Sequence, residues 1–327
     1  MNIMLNSFCN LTCPYCFAQP LMMEQALPRI MPMDSFEKCL EFLKHNNTRT
    51  VRIIGGEPLL VPNIKDYFDA VLHFGVFDKI LIFSNGTFSE KIRQILIDYN
   101  KSISIELLVN INSPADIGEA LSRTIETNLL ILSGNNLNVD IGVNIYKQHQ
   151  DTDFFFELAQ KLKKRVVRWS YASPKTMVSV CGVDEKLFYQ YYQDNIGTVI
   201  CFLEKSSELN ITAEIDCASI PTCALLDNQL RQLLLLSPNI FRQRVCRPSI
   251  DVLPDLSVVR CFSMAQSKRY SLLDFDSERK IFKQFIYDID LMQNEKCVKA
   301  CKDCPIYKKY HRRCGCLTFS SFGGSDL

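Results

Sequence analysis

The 327-residue chain has no apolar run near the ~20 residues that a membrane-spanning helix needs. Its longest candidate, Leu233-Leu234-Leu235-Leu236, is bounded by Arg231-Gln232 and Ser237-Pro238. Glycine and proline are scarce, at 12 and 13 residues, which excludes collagen-like and low-complexity classes. Excess charge is also lacking. Lys and Arg number 37 against 36 Asp and Glu, so no global field draws the chain to nucleic acid or an anionic membrane. The four histidines, His45, His73, His149 and His311, show no metal-binding spacing, and no internal repeat is present. The opening Met1-Asn2-Ile3-Met4-Leu5-Asn6 has no basic segment of the kind that begins a signal peptide. These features predict a cytoplasmic protein with neither nucleic-acid nor membrane partners.

What is present is a hydrophobic share of 47%, enough for a full core, and 15 cysteines. In a reducing compartment, clustered cysteines are metal ligands or catalytic thiols more often than disulfides. Cys9, Cys13 and Cys16 open the chain, and nine more lie between Cys217 and Cys316. Cys39, Cys181 and Cys201 stand alone and are expected to be small buried hydrophobes.

Strand-like runs at 3–8, 51–54, 79–83, 103–110, 139–145 and 166–171 alternate with helix-like stretches at 34–45, 61–74, 89–99, 115–132 and 153–163. Asp34 and Ser89 are candidate N-caps, and Gly134 a candidate stop. Such alternation predicts repeated right-handed βαβ units and a parallel sheet, with the chemistry on loops at the strands' C-terminal ends. Trp169, the single tryptophan, is expected to pack that core. After Pro174 the rhythm changes. A helix is predicted over 184–209, a strand over 210–216, a helix over 225–236, a hairpin over 249–260 turning at Pro254-Asp255, and a helix over 277–292. The last thirty residues have too little periodicity for an apolar core and need a metal to fold them. Their basic residues are expected to offset cluster charge or to be solvated.

Cys9-Asn10-Leu11-Thr12-Cys13-Pro14-Tyr15-Cys16-Phe17 spaces its thiols as C-x3-C-x2-C directly after the first predicted strand. Three thiolates on one loop suit an iron–sulfur cluster and leave its fourth iron open. Structural zinc takes four ligands, and no nearby Cys or His supplies the fourth. Gly55-Gly56-Glu57-Pro58 follows the second strand, where glycines permit close backbone approach and Glu57 offers an anionic acceptor. Ser84-Asn85-Gly86-Thr87 follows the third.

Across residues 1–175 these motifs resemble the radical S-adenosylmethionine (radical SAM) superfamily, including the aromatic Tyr15 before the third cysteine. The resemblance implies a partial (β/α)6 TIM-like barrel with a 4Fe–4S cluster on Cys9, Cys13 and Cys16. The open iron would bind the amino and carboxylate groups of S-adenosylmethionine, whose reductive cleavage gives a 5′-deoxyadenosyl radical that abstracts a substrate hydrogen. Gly55, Gly56 and Glu57 would face the methionine amino group. Tyr15, Phe17, Ser84, Asn85, Asn110, Asn112, Asn144 and Ser170 are the further cofactor contacts expected at strand ends. An electron donor such as flavodoxin or ferredoxin is the implied redox partner.

The later cysteines are Cys217, Cys223, Cys246-x14-Cys261 around the predicted hairpin, Cys297-x3-Cys301-x2-Cys304, and Cys314-Gly315-Cys316. This α/β chain therefore ends in a Cys-rich region, over 246–327, that resembles the SPASM or twitch extension of radical SAM enzymes. A bridging helical region fills 176–245. The resemblance implies one or two auxiliary 4Fe–4S clusters. Cys246, Cys261, Cys301, Cys304, Cys314 and Cys316 lead as ligands, with Cys217, Cys223 and Cys297 next; zinc is the rival occupant. Two features depart from the family pattern. Leu256 stands where the family has a glycine five residues before the hairpin's second cysteine, and the final spacing runs C-x2-C-x9-C-x1-C.

Three functions follow. The leading one, by family analogy, is modification of a peptide or protein side chain by cross-linking, thioether formation, epimerisation or oxidation. The lack of a leader-binding domain before Cys9 counts slightly against it. The second is oxidation or epimerisation of a sugar or aminocyclitol. The third is a non-catalytic cluster or zinc protein acting as sensor or scaffold.

Overall fold

The computed structural model describes residues 1–172, 185–217, 220–241, 246, 249–265, 268–291, 299–310 and 314. Cys181, Cys297 and Cys316 lie outside them. Backbone contacts divide the chain into two compact units, Met1–Ile141 with Pro248–Phe285, and Gly142–Arg247 with Ile286–Leu327. No described helix is long and apolar enough to cross a membrane.

In the first unit β1 (Asn2–Met4), β2 (Thr50–Ile54), β3 (Lys79–Ser84) and β4 (Ser104–Asn110) run parallel. Ile3 pairs with Ile53, Val51 with Ile80, and Ile80 with Ile105. The helices between them are α1 (Gln19–Met23), α2 (Met33–His45), α3 (Ile64–Phe74), α4 (Glu90–Tyr99), α5 (Pro114–Ile117) and α6 (Glu119–Gly134). On α2 the buried Phe36, Cys39, Leu40 and Leu43 follow the i, i+3, i+4, i+7 stripe of a core-facing helix. The Ser89 hydroxyl accepts from Ile92 N and caps α4 as predicted.

Other sequence expectations are corrected. Asp34 lies inside α2, whose N-cap is Pro32. Gly134, by contrast, ends α6 as predicted, with Asn135 as the cap. The helix predicted over 115–132 is two helices, interrupted at Gly118, whose φ of 86° only glycine adopts without strain. β1 spans only Asn2–Met4, short of the predicted end at Phe8.

The predicted hairpin forms and joins this unit. β8 (Asp251–Val252) lies parallel to β1, β9 (Ser257–Val259) antiparallel to β8, and β10 (Tyr270–Ser271) antiparallel to β9. At the turn, Leu256 has a φ of 67°, the left-handed conformation that suits glycine. A glycine would adopt this conformation without strain, although the residue here is leucine.

In the second unit β6 (Val166–Tyr171) pairs in parallel with the last four residues of β5 (Asn138–Ile145) and with β7 (Thr212–Ile215). The helices are α7 (Asp153–Lys161), α8 (Glu185–Glu208), α9 (Asp227–Leu236) and α11 (Pro305–Tyr310); α10 (Glu278–Phe285) belongs to the first unit. Buried Trp169, Phe155 and Phe156 converge on Phe202 of α8, whose ring centroid is 4.9 Å from that of Phe156. Cys39 is buried as expected, but Cys201 is exposed, because α8 turns its neighbour Phe202 inward instead.

Candidate active site at the ends of β1, β2 and β3

Beyond Met4 the chain stays paired with the segment that follows β2. Leu5 N donates to Ile54 O, Gly56 N to Asn6 O at 3.0 Å, and Glu57 N to Phe8 O at 2.9 Å. The segment bearing the glycines thus lies directly against the start of the cysteine loop. A Cβ on Gly56 would sit 2.1 Å from Phe8 O and 3.0 Å from Cys9 N; one on Gly55 would sit 2.2 Å from Asn6 Oδ1. Buried Asn6 closes the junction by donating from Nδ2 to Phe8 O and Glu57 O.

The thiols of Cys9, Cys13 and Cys16 are half-buried. A tight turn, Cys16 N to Cys13 O at 3.1 Å, sets the last two. Burial pushes the Cys13 thiol up to about 11, and the charges of Cys16 and Cys9 push the same way. Burial likewise raises Cys9, against the lowering effect of its hydrogen bonds from Leu11 N and Asn85. Mutual repulsion and partial desolvation of this kind are relieved when a metal takes up the thiolates. Among the described residues no three His, Cys, Asp or Glu side chains are grouped as the ligands of one metal ion would be.

Glu57 is fully buried, and its carboxylate joins two loops. Oε1 accepts from Leu59 N at 3.1 Å and Ser84 Oγ at 2.9 Å; Oε2 accepts from Asn85 N at 2.6 Å. Burial raises its pKa to about 7, with those three bonds acting in the opposite direction. All three donors are neutral, and one of its roughly four acceptor positions is unused by them.

Asn85, at the end of β3, donates from Nδ2 to Cys9 Sγ at 3.5 Å and to Asn10 Oδ1 at 3.0 Å. Tyr15 donates its hydroxyl to buried Asn112. Exposed Phe17 sets its ring edge-on to Phe262, with centroids 6.4 Å apart. Asn110 is exposed at the end of β4. Of the predicted cofactor contacts, Tyr15, Phe17, Gly55, Gly56, Glu57, Ser84, Asn85, Asn110 and Asn112 fall in the first unit. Asn144 and Ser170 fall in the second, side by side in the β5–β6 register.

Sequence reasoning passed over Asn6, Asn10 and Asn128. Buried Asn128 of α6 donates to Gly86 O and Phe88 O and so shapes the loop after β3. A polar residue on the inward stripe of α6 was the available signal. Of the later cysteines, Cys261 belongs to the first unit, whereas Cys217, Cys223, Cys246, Cys301, Cys304 and Cys314 belong to the second. Burial raises the Cys223 thiol, the charge of nearby Cys304 adds to this, and a Tyr189 hydrogen bond opposes it. Cys304 N closes a turn onto Cys301 O.

A family model for the radical SAM superfamily matches residues 3–128. The GTP 3′,8-cyclase of Chlorobaculum tepidum is 26% identical over 179 residues, covering 48% of this chain and 53% of that one. The enzyme of that name from Desulforamulus reducens is 28% identical over 86 residues, covering 26% of each chain. The chain thus spans about half, or less, of the length of these curated relatives. Among solved structures, native anSMEcpe with bound AdoMet and Kp18Cys peptide has a TM-score of 0.67 at 14% identity, covering 100% of this chain and 91% of that one. Streptococcus suis SuiB has a TM-score of 0.59 at 16% identity, covering 99% and 75%; its complex with precursor peptide SuiA scores 0.56. These likenesses show the fold, an α/β partial barrel built on parallel strands.

Proposed function

We propose, from the match of residues 3–128 to the radical SAM superfamily, whose cofactors are a 4Fe–4S cluster and S-adenosylmethionine, that the chain is an enzyme of this kind that modifies a peptide or protein side chain. Cys9, Cys13 and Cys16 would hold the cluster. When bound, the pair of cofactors supplies a carbon radical that takes a hydrogen atom from the substrate. The donor set fits: three half-buried thiols share one loop, and the Gly55–Gly56 backbone lies against that loop where any side chain would collide. Glu57 would offer its carboxylate to the cationic end of S-adenosylmethionine, whose positive charge would favour the ionised form that burial alone disfavours. Asn112, just past β4, braces the loop through Tyr15, and Asn85 braces it from the end of β3, while Ser84 holds the Glu57 carboxylate.

The observation that carries this reading is the interlock of three strand-end segments, 6–9, 55–57 and 84–87, around one cysteine loop. Support for the substrate class comes from the solved neighbours, whose structures hold a Kp18Cys peptide and the precursor peptide SuiA. The GTP 3′,8-cyclases match over half their length or less and weigh less on the substrate. We assign residues 1–175 to the cofactor chemistry, 176–245 to a bridge, and 246–327 to auxiliary clusters. Cys246, Cys261, Cys301, Cys304, Cys314 and Cys316 would be the leading ligands, followed by Cys217, Cys223 and Cys297. A flavodoxin- or ferredoxin-like donor would supply electrons.

Anaerobic iron and sulfide analysis tests this: about four irons indicates the first cluster alone, about eight or twelve one or two more. Reduced protein with S-adenosylmethionine is expected to release 5′-deoxyadenosine. Cys13→Ala is expected to abolish release, while Cys314→Ala keeps the first cluster. Zinc alone at residues 9–16 would overturn the proposal.

A further inference from the structure

At the end of β3, Asn85, Asn10 and Thr87 form a closed ring of hydrogen bonds. Thr87 donates to Asn85 Oδ1 from both its backbone N (2.9 Å) and its hydroxyl (2.6 Å). The same hydroxyl accepts from Asn10 Nδ2 at 2.7 Å, and Asn10 Oδ1 accepts from Asn85 Nδ2 at 3.0 Å. Each of these four bonds pairs one donor with one acceptor. A flipped Asn85 amide would set its NH2 against the Thr87 N–H, so only one orientation satisfies the backbone donor. In that orientation the second Nδ2 hydrogen is directed at Cys9 Sγ, 3.5 Å away. The backbone of Asn85 is itself held by Glu57, so the amide is fixed at both ends.

We propose that Asn85 is a positioning residue for the first cluster: its locked amide N–H donates to the Cys9 sulfur and makes the cluster easier to reduce. This gives Asn85 a role on the cluster ligand itself, and it rests on the reading of Cys9 as a ligand. Reduction adds negative charge that is shared by the ligand sulfurs, and a donor aimed at one of them stabilises the reduced form more than the oxidised form. The surroundings make this donor more than an incidental neighbour. Leu11 N also donates to Cys9 Sγ, at 3.4 Å, but from within the cysteine loop, where it moves with the ligand. Asn85 donates from a strand end, and so ties the sulfur to the sheet.

The test is a mediated redox titration of the full chain, loaded anaerobically and followed by EPR. The signal read is the one that changes on adding S-adenosylmethionine, which separates this cluster from any other. Asn85→Leu removes the donor at similar volume. At the wild-type midpoint its ratio of reduced to oxidised cluster is expected to fall about three- to tenfold, as for loss of one hydrogen bond of ordinary net strength. Asn85→Asp keeps the acceptor for Thr87 but places an anion beside the sulfur, and is expected to fall further. If Asn85→Leu does not load iron, Thr87→Val decides, since loss of one lock on the amide is expected to lower the ratio at least about twofold. Normal loading with an unchanged ratio in Asn85→Leu, or in Thr87→Val where that variant decides, overturns the inference. Wild-type protein with no cluster at the loop overturns the functional proposal instead, and is recognised by its iron content.

Discussion

The Gly56→Ala substitution tests the architecture of the site without touching a cysteine. The added Cβ would lie 2.1 Å from Phe8 O, 2.4 Å from Phe8 C and 3.0 Å from Cys9 N. All three are backbone atoms, so no side chain can swing away, and the two segments must separate by about 1 Å to reach ordinary contact. They are held by Gly56 N to Asn6 O and Glu57 N to Phe8 O, and separation weakens at least one of these bonds. Overpacking of about 1–3 kcal/mol plus ~1 kcal/mol for the hydrogen bond gives a loss of about 2–4 kcal/mol. For a cooperative unit of this size that lowers the melting temperature by about 5–15 °C. The displaced atoms carry Cys9, so iron bound at the loop should fall as well. Gly197→Ala is the control: it adds a Cβ on α8 with nothing within 4 Å, and is expected to gain about 0.5–1 kcal/mol. Thermal melts of the cluster-free protein and iron analysis of the reconstituted protein read both effects. A Gly56→Ala protein that melts with wild type and binds as much iron would refute the close packing of these loops.

Asp251 is buried and accepts from Asn2 Nδ2 and Phe262 N, and burial raises its pKa to about 6. Its folded pKa lies above the unfolded one, so the folded state holds the proton between about pH 4 and pH 6, and this contribution to stability declines as pH rises through that window, by up to ~3 kcal/mol. Urea unfolding of wild type and Asp251→Asn from pH 4 to 7 should show the wild-type curve falling relative to the variant; parallel curves would contradict it. In the second unit, Phe202→Ala removes the ring on which Phe155, Phe156 and Trp169 converge and should cost about 3–5 kcal/mol by denaturant melts. A loss under about 1 kcal/mol would mean that this cluster does not carry the unit's core.

The βα alternation was legible because strands of period two and helices of period 3.6 leave different apolar patterns, as in the Ile80, Ile82, Ser84 face of β3 and the Phe36 to Leu43 stripe of α2. The breaks were less legible. Gly118 divides a stretch whose side chains read as one helix, because its consequence lies in φ and not in hydrophobicity. Leu256 conceals a glycine-like turn, since its conformation is imposed by the Pro254-Asp255 turn and the pairing of β8 with β9.

By itself, the sequence determined the cysteine triad, the glycine pair and the acidic residue after the second strand, because spacing along a chain fixes which groups can share a loop. Only the tertiary structure decided that Glu57 turns inward to Ser84 and Asn85, and that the Asn85 amide is aimed at Cys9. Those choices depend on which donors lie opposite which acceptors across strands 27 and 76 residues apart in sequence, a matter of register and burial that no local pattern encodes.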